Sequence, residues 1–130
     1  MPAPYSLFLD DRRRPPDDGD AWVLCRTVDK LVATVQDRGI PRHASFDYQL
    51  DETDPAHTGF DALEAFIDTL MAENGDKFRG AVKIRLHTSS RSGKQRMRAL
   101  MEERRAECAA AGIDLIDDDP AADYWRRVKG

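Results

Sequence analysis

Short apolar runs alternate along this chain with segments of helical period, and that alternation confines it to the α/β class. The first run, Tyr5 to Leu9, reads as a buried strand that stops abruptly at Asp10-Asp11. A polar, proline-containing stretch follows from Arg12 to Asp20, no helix fits within it, and Ala21 to Cys25 reads as a second strand. The first crossover helix is therefore expected to be reduced or missing. Thr27 can cap a helix that turns Val28, Leu31, Val32 and Val35 inward, with Gly39 placed to end it. Ala44-Ser45-Phe46 reads as a third strand ending at Asp47, and Asp51 to Thr58 as loop. Phe60, Leu63, Phe66, Ile67, Leu70 and Met71 recur at helical spacing, predicting a helix to about Glu73, closed by Gly75.

In the fourth strand, Val82, Ile84 and Leu86 alternate with Lys83, Arg85 and His87, a period that suits a half-exposed strand. Ser92 and Gly93 then open a helix with Met97, Leu100, Met101 and Cys108 on its apolar side, ended by Gly112 before a fifth strand, Ile113 to Ile116. Asp119-Pro120 has the form of a cap followed by proline at the first helical position, so residues 120–129 are expected to form a short helix held by Tyr124, Trp125 and Val128. The same reading takes Asp117 to Asp119 as a helix N-terminus. Trp22 and Phe46 are expected in the core.

Without repeats or linkers, residues 1–130 are expected to form one domain. Hydrophobic content of 41% beside 34% charged residues describes an ordinary globular chain. No apolar run approaches the roughly 20 residues that span a bilayer, and Met1 to Tyr5 lacks the pattern of a secretory signal, so a cytoplasmic protein without membrane contact is expected. Cys25 and Cys108 have no metal-binding or redox spacing and read as buried thiols. A net charge of −4 argues against bulk DNA binding. Two cationic clusters stand out, Arg12-Arg13-Arg14 and Arg91, Lys94, Arg96, Arg98. Each reads equally as a local anion site or as a solvated face balanced by neighbouring acids.

If right-handed crossovers join the later strands, those strands run parallel and share a carboxyl edge, where open α/β sheets bind ligands. Asp10, Asp11, Asp47, His87 and Thr88 would meet there. Three carboxylates at one point repel unless a cation or raised pKa values relieve them, which directs the reading toward a hard divalent ion, Mg²⁺ or a relative, held by Asp10, Asp11 and Asp47. Residues His87 to Lys94 add hydroxyls, a glycine and cations at a helix start, a setting that favours an anion but lacks the order of a Walker A loop.

The run Leu7-Phe8-Leu9-Asp10-Asp11-Arg12-Arg13-Arg14-Pro15-Pro16 resembles the opening of the cyclic-phosphate processing receiver-like family. Trp22 with Arg26-Thr27, Ser45-Phe46-Asp47, Gly59-Phe60-Asp61, and His87-Thr88 through Gly93-Lys94 to Met97 resemble its later blocks in order, over roughly residues 5 to 101. The resemblance implies a receiver-like (flavodoxin-like) three-layer sandwich, with a mainly parallel five-stranded sheet of order 2-1-3-4-5, and an acidic pocket acting on cyclic phosphates. Two blocks depart from the family. Tyr48-Gln49-Leu50-Asp51 stands where Asp47 is usually followed by His-Asp-Leu-Gly, and Ser89-Ser90-Arg91 replaces the usual segment carrying Asn-Pro. Tyr48 reads either as a stacking surface for a base or as a packed ring. Asp10-Asp11, Asp47 and Thr88 also resemble the acidic pair, phosphorylated aspartate and switch hydroxyl of response-regulator receivers. Their lysine after the fifth strand is absent here, which ranks phosphorelay signalling below phosphate processing.

The expected function is thus a cyclic-phosphate phosphoesterase or phosphate-ligand-binding domain. Asp47 and His87 are its catalytic candidates, with Asp10, Asp11 and Asp47 holding Mg²⁺ or Mn²⁺. Arg13, Thr88, Ser92, Gly93 and Lys94 are the candidates for binding phosphate. The partner would be a small phosphate compound or an RNA end. Blander readings stand beside these: Asp10 and Asp11 as partners of Arg12 to Arg14, and His87 as a structural histidine. The alternative function is a non-enzymatic module of receiver-like fold, an immunity protein, antitoxin or adaptor, whose acidic balance suits a basic protein partner.

Overall fold

The computed structural model describes residues 5–10, 22–47, 58–74, 79–86 and 91–118. Five parallel strands form one sheet of order β2-β1-β3-β4-β5. They are β1 (Ser6–Leu9), β2 (Trp22–Cys25), β3 (His43–Phe46), β4 (Gly80–Leu86) and β5 (Ile113–Asp117). Among the described residues three helices alternate with the later strands, α1 (Val28–Arg38), α2 (Gly59–Asn74) and α3 (Arg91–Ala110). The architecture is the receiver-like α/β fold.

The connections β2-α1-β3, β3-α2-β4 and β4-α3-β5 all progress the same way across the sheet. With one crossover hand they therefore share one face, and α2 packs between α1 and α3. That face is the core. Leu7, Leu9, Cys25, Ala44, Phe46, Val82, Ile84, Leu86, Ile113 and Leu115 cluster there with Leu31, Val35, Leu63, Phe66, Ile67, Leu70, Met97 and Met101. Phe46 and Phe66 meet edge to face, centroids 5.3 Å apart, joining the middle strand to the middle helix. The opposite face carries Phe8, Trp22 and His43, with Trp22 half-buried between the other two rings at 5.8 and 5.1 Å. Lys83 and Arg85 of β4 are exposed on it, as the period of two predicts.

Thr27 caps α1, its side chain accepting from Lys30 N at 3.1 Å, and Gly39 ends the helix at φ +90°. α2 begins one residue earlier than expected because Thr58 and Asp61 form a capping box: Asp61 Oδ2 accepts from Thr58 N at 2.9 Å. Asn74, at the other end of α2, donates to Ala111 O at 2.8 Å and fixes the turn into β5. Arg104 of α3 pairs with Asp68 of α2 at 2.8 Å.

Asp117 belongs to the sheet and not to a helix N-terminus. Asp117 is the last residue of β5, and its carboxylate pairs with Arg98 Nε at 2.8 Å, shielded from solvent. Asp118 lies on the other face, 3.2 Å from His43 Nε2 and 3.6 Å from Arg85 Nη2. The helix expected at residues 120–129, the reduced first crossover, the helix end at Gly75 and the third layer of the sandwich fall outside the described residues. No helix among the described residues is long and apolar enough to cross a membrane.

Candidate functional site

The strand order reverses at β1, with β2 on one side of it and β3 on the other, so the carboxyl ends of β1 and β3 flank the topological switch point. The register aligns these ends. Leu9 is opposite both Cys25 and Phe46, and Phe46 is opposite Leu86. The residues just past the strands, Arg26, Asp10 and Asp47, therefore form a row across the edge. Backbone bonds fix it: Asp10 N donates to Cys25 O, and Asp47 N to Leu9 O, each at 3.1 Å. At the usual strand spacing, neighbours in the row are about 4.8 Å apart.

The row is unevenly exposed. Asp10 is 1% exposed, whereas Asp47 is half-buried and Arg26 lies in solvent. Asp10 continues the buried strand β1, whereas Asp47 follows the buried Phe46 at a half-buried position. Arg26 Nη1 donates to Asp10 O at 3.3 Å. Sequence reasoning placed Arg26 in a family block without giving it a role in the site. Only the pairing of β2 with β1 puts its guanidinium against Asp10.

On the β4 side, α3 starts at Arg91, five positions after Leu86. Arg96 stacks on the Phe60 ring, 5.4 Å from its centroid, so the first turns of α2 and α3 lie together. Of the phosphate-binding candidates there, Ser92 is exposed, Gly93 buried and Lys94 half-buried, all in the first turn of a 20-residue helix. Such an N-terminus presents backbone N–H groups and the positive end of the helix dipole. Arg96 packs on Phe60 and Arg98 pairs with Asp117, and Arg91 and Lys94 are the members of the cationic cluster nearest the helix start.

Asp11, Arg13, His87 and Thr88, the other candidates, lie outside the described residues, as does Tyr48. Among the described residues no group of three or more His, Cys, Asp or Glu side chains is placed to hold a metal ion. Asp10 and Asp47 still offer two hard oxygen donors on adjacent strands. A hard divalent ion such as Mg²⁺ is commonly bound by one or two carboxylates, with water and substrate phosphate completing the shell.

Comparison with known proteins adds one finding: a family model described as the cyclic-phosphate processing receiver domain matches residues 5–103. No curated protein matches the chain.

Proposed function

Since this chain belongs to the cyclic-phosphate processing receiver domain family, we propose that its carboxyl edge binds and opens a cyclic phosphate. The observation that carries the reading is the backbone-fixed placement of Asp10 beside Asp47 at the switch point of the sheet.

Hydrolysis of a cyclic diester adds water to phosphorus, breaks one ribose P–O bond and leaves a monoester. Asp47, half-buried at the mouth of the edge, is the group suited to orient the attacking water. His87 follows Leu86, the register partner of Phe46, and is assigned the proton transfer to the departing alkoxide. Lys94, the backbone of Ser92 and Gly93, Thr88 and Arg13 are assigned the binding of the phosphate. A Mg²⁺ or Mn²⁺ ion held by Asp10, Asp47 and Asp11 would supply charge neutralisation at the phosphate oxygens.

Incubation with 2′,3′-cyclic nucleotides and Mg²⁺ or Mn²⁺, followed by separation of the monoester product, tests this directly. The wild type should turn over, and His87→Ala should lose about 10²–10⁴-fold of the rate. Turnover unaffected by both Asp47→Asn and His87→Ala would refute the assigned roles. No binding and no turnover, with stoichiometric recovery of a basic protein, would establish the binding-module alternative instead.

A further inference from the structure

β5 is the last strand in the sheet order, and among the described residues only β4 pairs with it. Asp118 N donates to Ile84 O at 2.8 Å and Gly112 O accepts from Gly80 N at 3.0 Å, so the even-numbered residues of this stretch turn their backbone groups toward β4. Successive residues of a strand alternate, and the N–H and C=O groups of Ile113, Leu115 and Asp117 therefore point away from β4. Three donors and three acceptors in a row are a template for another strand.

Helix α3 closes that template with side chains. Arg98 and Arg105 lie seven residues apart, about two turns along one stripe of the helix. Arg98 Nε meets the Asp117 carboxylate at 2.8 Å, and Arg105 Nε donates to Leu115 O at 3.3 Å. Arg105 is held in turn by an ion pair with Glu102, one turn earlier. Ile113 and Leu115 are buried, although among the described residues no strand lies beyond them. The middle carbonyl of the edge is thus taken by a charged side chain, and a strand approaching β5 would have to displace it.

The strand behind that guard is complementary to itself. In an antiparallel pair of two copies centred on Leu115, Ile113 meets Asp117 of the second copy and Leu115 meets Leu115, so every outward N–H and C=O finds a partner. On the outer face Asp114 then stands opposite Ile116 of the second copy rather than opposite another Asp, and the two Ile116 side chains are diagonal neighbours. Ile116 is 36% exposed, which leaves apolar surface for that contact. We propose that the edge of β5 is a pairing surface for a second copy of this chain and that Arg105 keeps it closed. This does not depend on what the carboxyl edge of the sheet binds.

The test is sedimentation equilibrium of the full chain from micromolar to millimolar concentration, joined to amide hydrogen exchange, for wild type, Arg105→Ala, Arg105→Met and Arg105→Lys. Wild type should be monomeric. Arg105→Ala should dimerise, its association tightened by about tenfold or more, the scale of one freed hydrogen-bonding group. Exchange in that dimer should slow at the amides of Ile113, Leu115 and Asp117, while those of Asp114 and Ile116, which face β4, keep the wild-type rate. Arg105→Met removes the donor and keeps an apolar stem, so it should dimerise as well, and it decides the matter where Arg105→Ala does not fold. Arg105→Lys keeps a charge at the edge and should stay monomeric. Adding Ile116→Asp to a dimerising variant sets carboxylates opposite Asp114 and should return it to monomer. A folded Arg105→Met that remains monomeric at millimolar concentration would overturn the proposal. A dimer with unchanged exchange in β5 would rule out the edge as its surface, and a wild type that dimerises through β5 would remove the closing role of Arg105.

Discussion

At the scale of residues, Asp10 is a buried carboxylate with Asp47 on the adjacent strand end, and both burial and a like charge disfavour its ionised form. An ion bound between them should relieve both costs. With free Mg²⁺ or Mn²⁺ at about 100 times its dissociation constant, linkage predicts roughly 2.7 kcal/mol of stabilisation, a rise of several degrees in melting temperature. Asp10→Asn should raise the melting temperature in EDTA and abolish the rise with metal. Thermal melts of both proteins check this, and an equal metal response in the two would remove Asp10 from the ion. Asp10 and Asp47 were legible in the sequence because an apolar run that stops at a carboxylate places that group at a strand end. The contact of Arg26 with Asp10 O was not, since it depends on which strand lies beside β1. Asp117 was misread for a similar reason: its partner Arg98 is distant in sequence and is brought near only by the packing of α3 on β5.

Elements were the most legible level, because helical period and cap residues act locally. α1 starts after Thr27 and ends before Gly39, as its sequence predicts. Thr27→Ala should cost about 1 kcal/mol through the lost bond to Lys30 N. Gly39 adopts φ +90° with extended ψ, a conformation nearly confined to glycine, although a Cβ there would meet nothing within 4 Å. Gly39→Ala should therefore destabilise by about 1–3 kcal/mol from backbone strain alone. In urea melts the two variants should show lower midpoints and an unchanged slope. A neutral Gly39→Ala would mean the chain adopts another helix end. The start of α2 was legible in principle, since Thr58 and Asp61 have capping-box spacing, but the stronger apolar periodicity drew the boundary to Phe60.

For the whole molecule, periodicity indicates a parallel α/β sheet but not the order of its strands. The order came from the ordered blocks of a family resemblance, and the sheet agrees with it. The core adds a pH dependence. Burial raises the Cys25 and Cys108 thiols above their ordinary value of 9.0 and the Tyr5 hydroxyl above 10.0. The folded state keeps these protons where the unfolded chain begins to release them. Their contribution to stability is thus complete below about pH 9 and declines as pH climbs toward the raised folded values. The urea midpoint should fall between pH 8 and pH 10.5, and the combined Cys25→Ala, Cys108→Ala, Tyr5→Phe variant should lose less over that interval. An equally steep fall in the variant would assign the effect to other groups.

The central claim is that the switch-point edge of the sheet receives the phosphate, and an amide-resolved NMR titration with 2′,3′-cyclic AMP tests it most directly. The account predicts saturable shifts concentrated at Asp10, Arg26, Asp47, Gly93 and Lys94, with the amino ends of the strands near Ser6, Arg42 and Gly80 unmoved. Shifts confined to those amino ends or to the Trp22–His43 face, or no shifts at millimolar ligand with and without Mg²⁺, would contradict it.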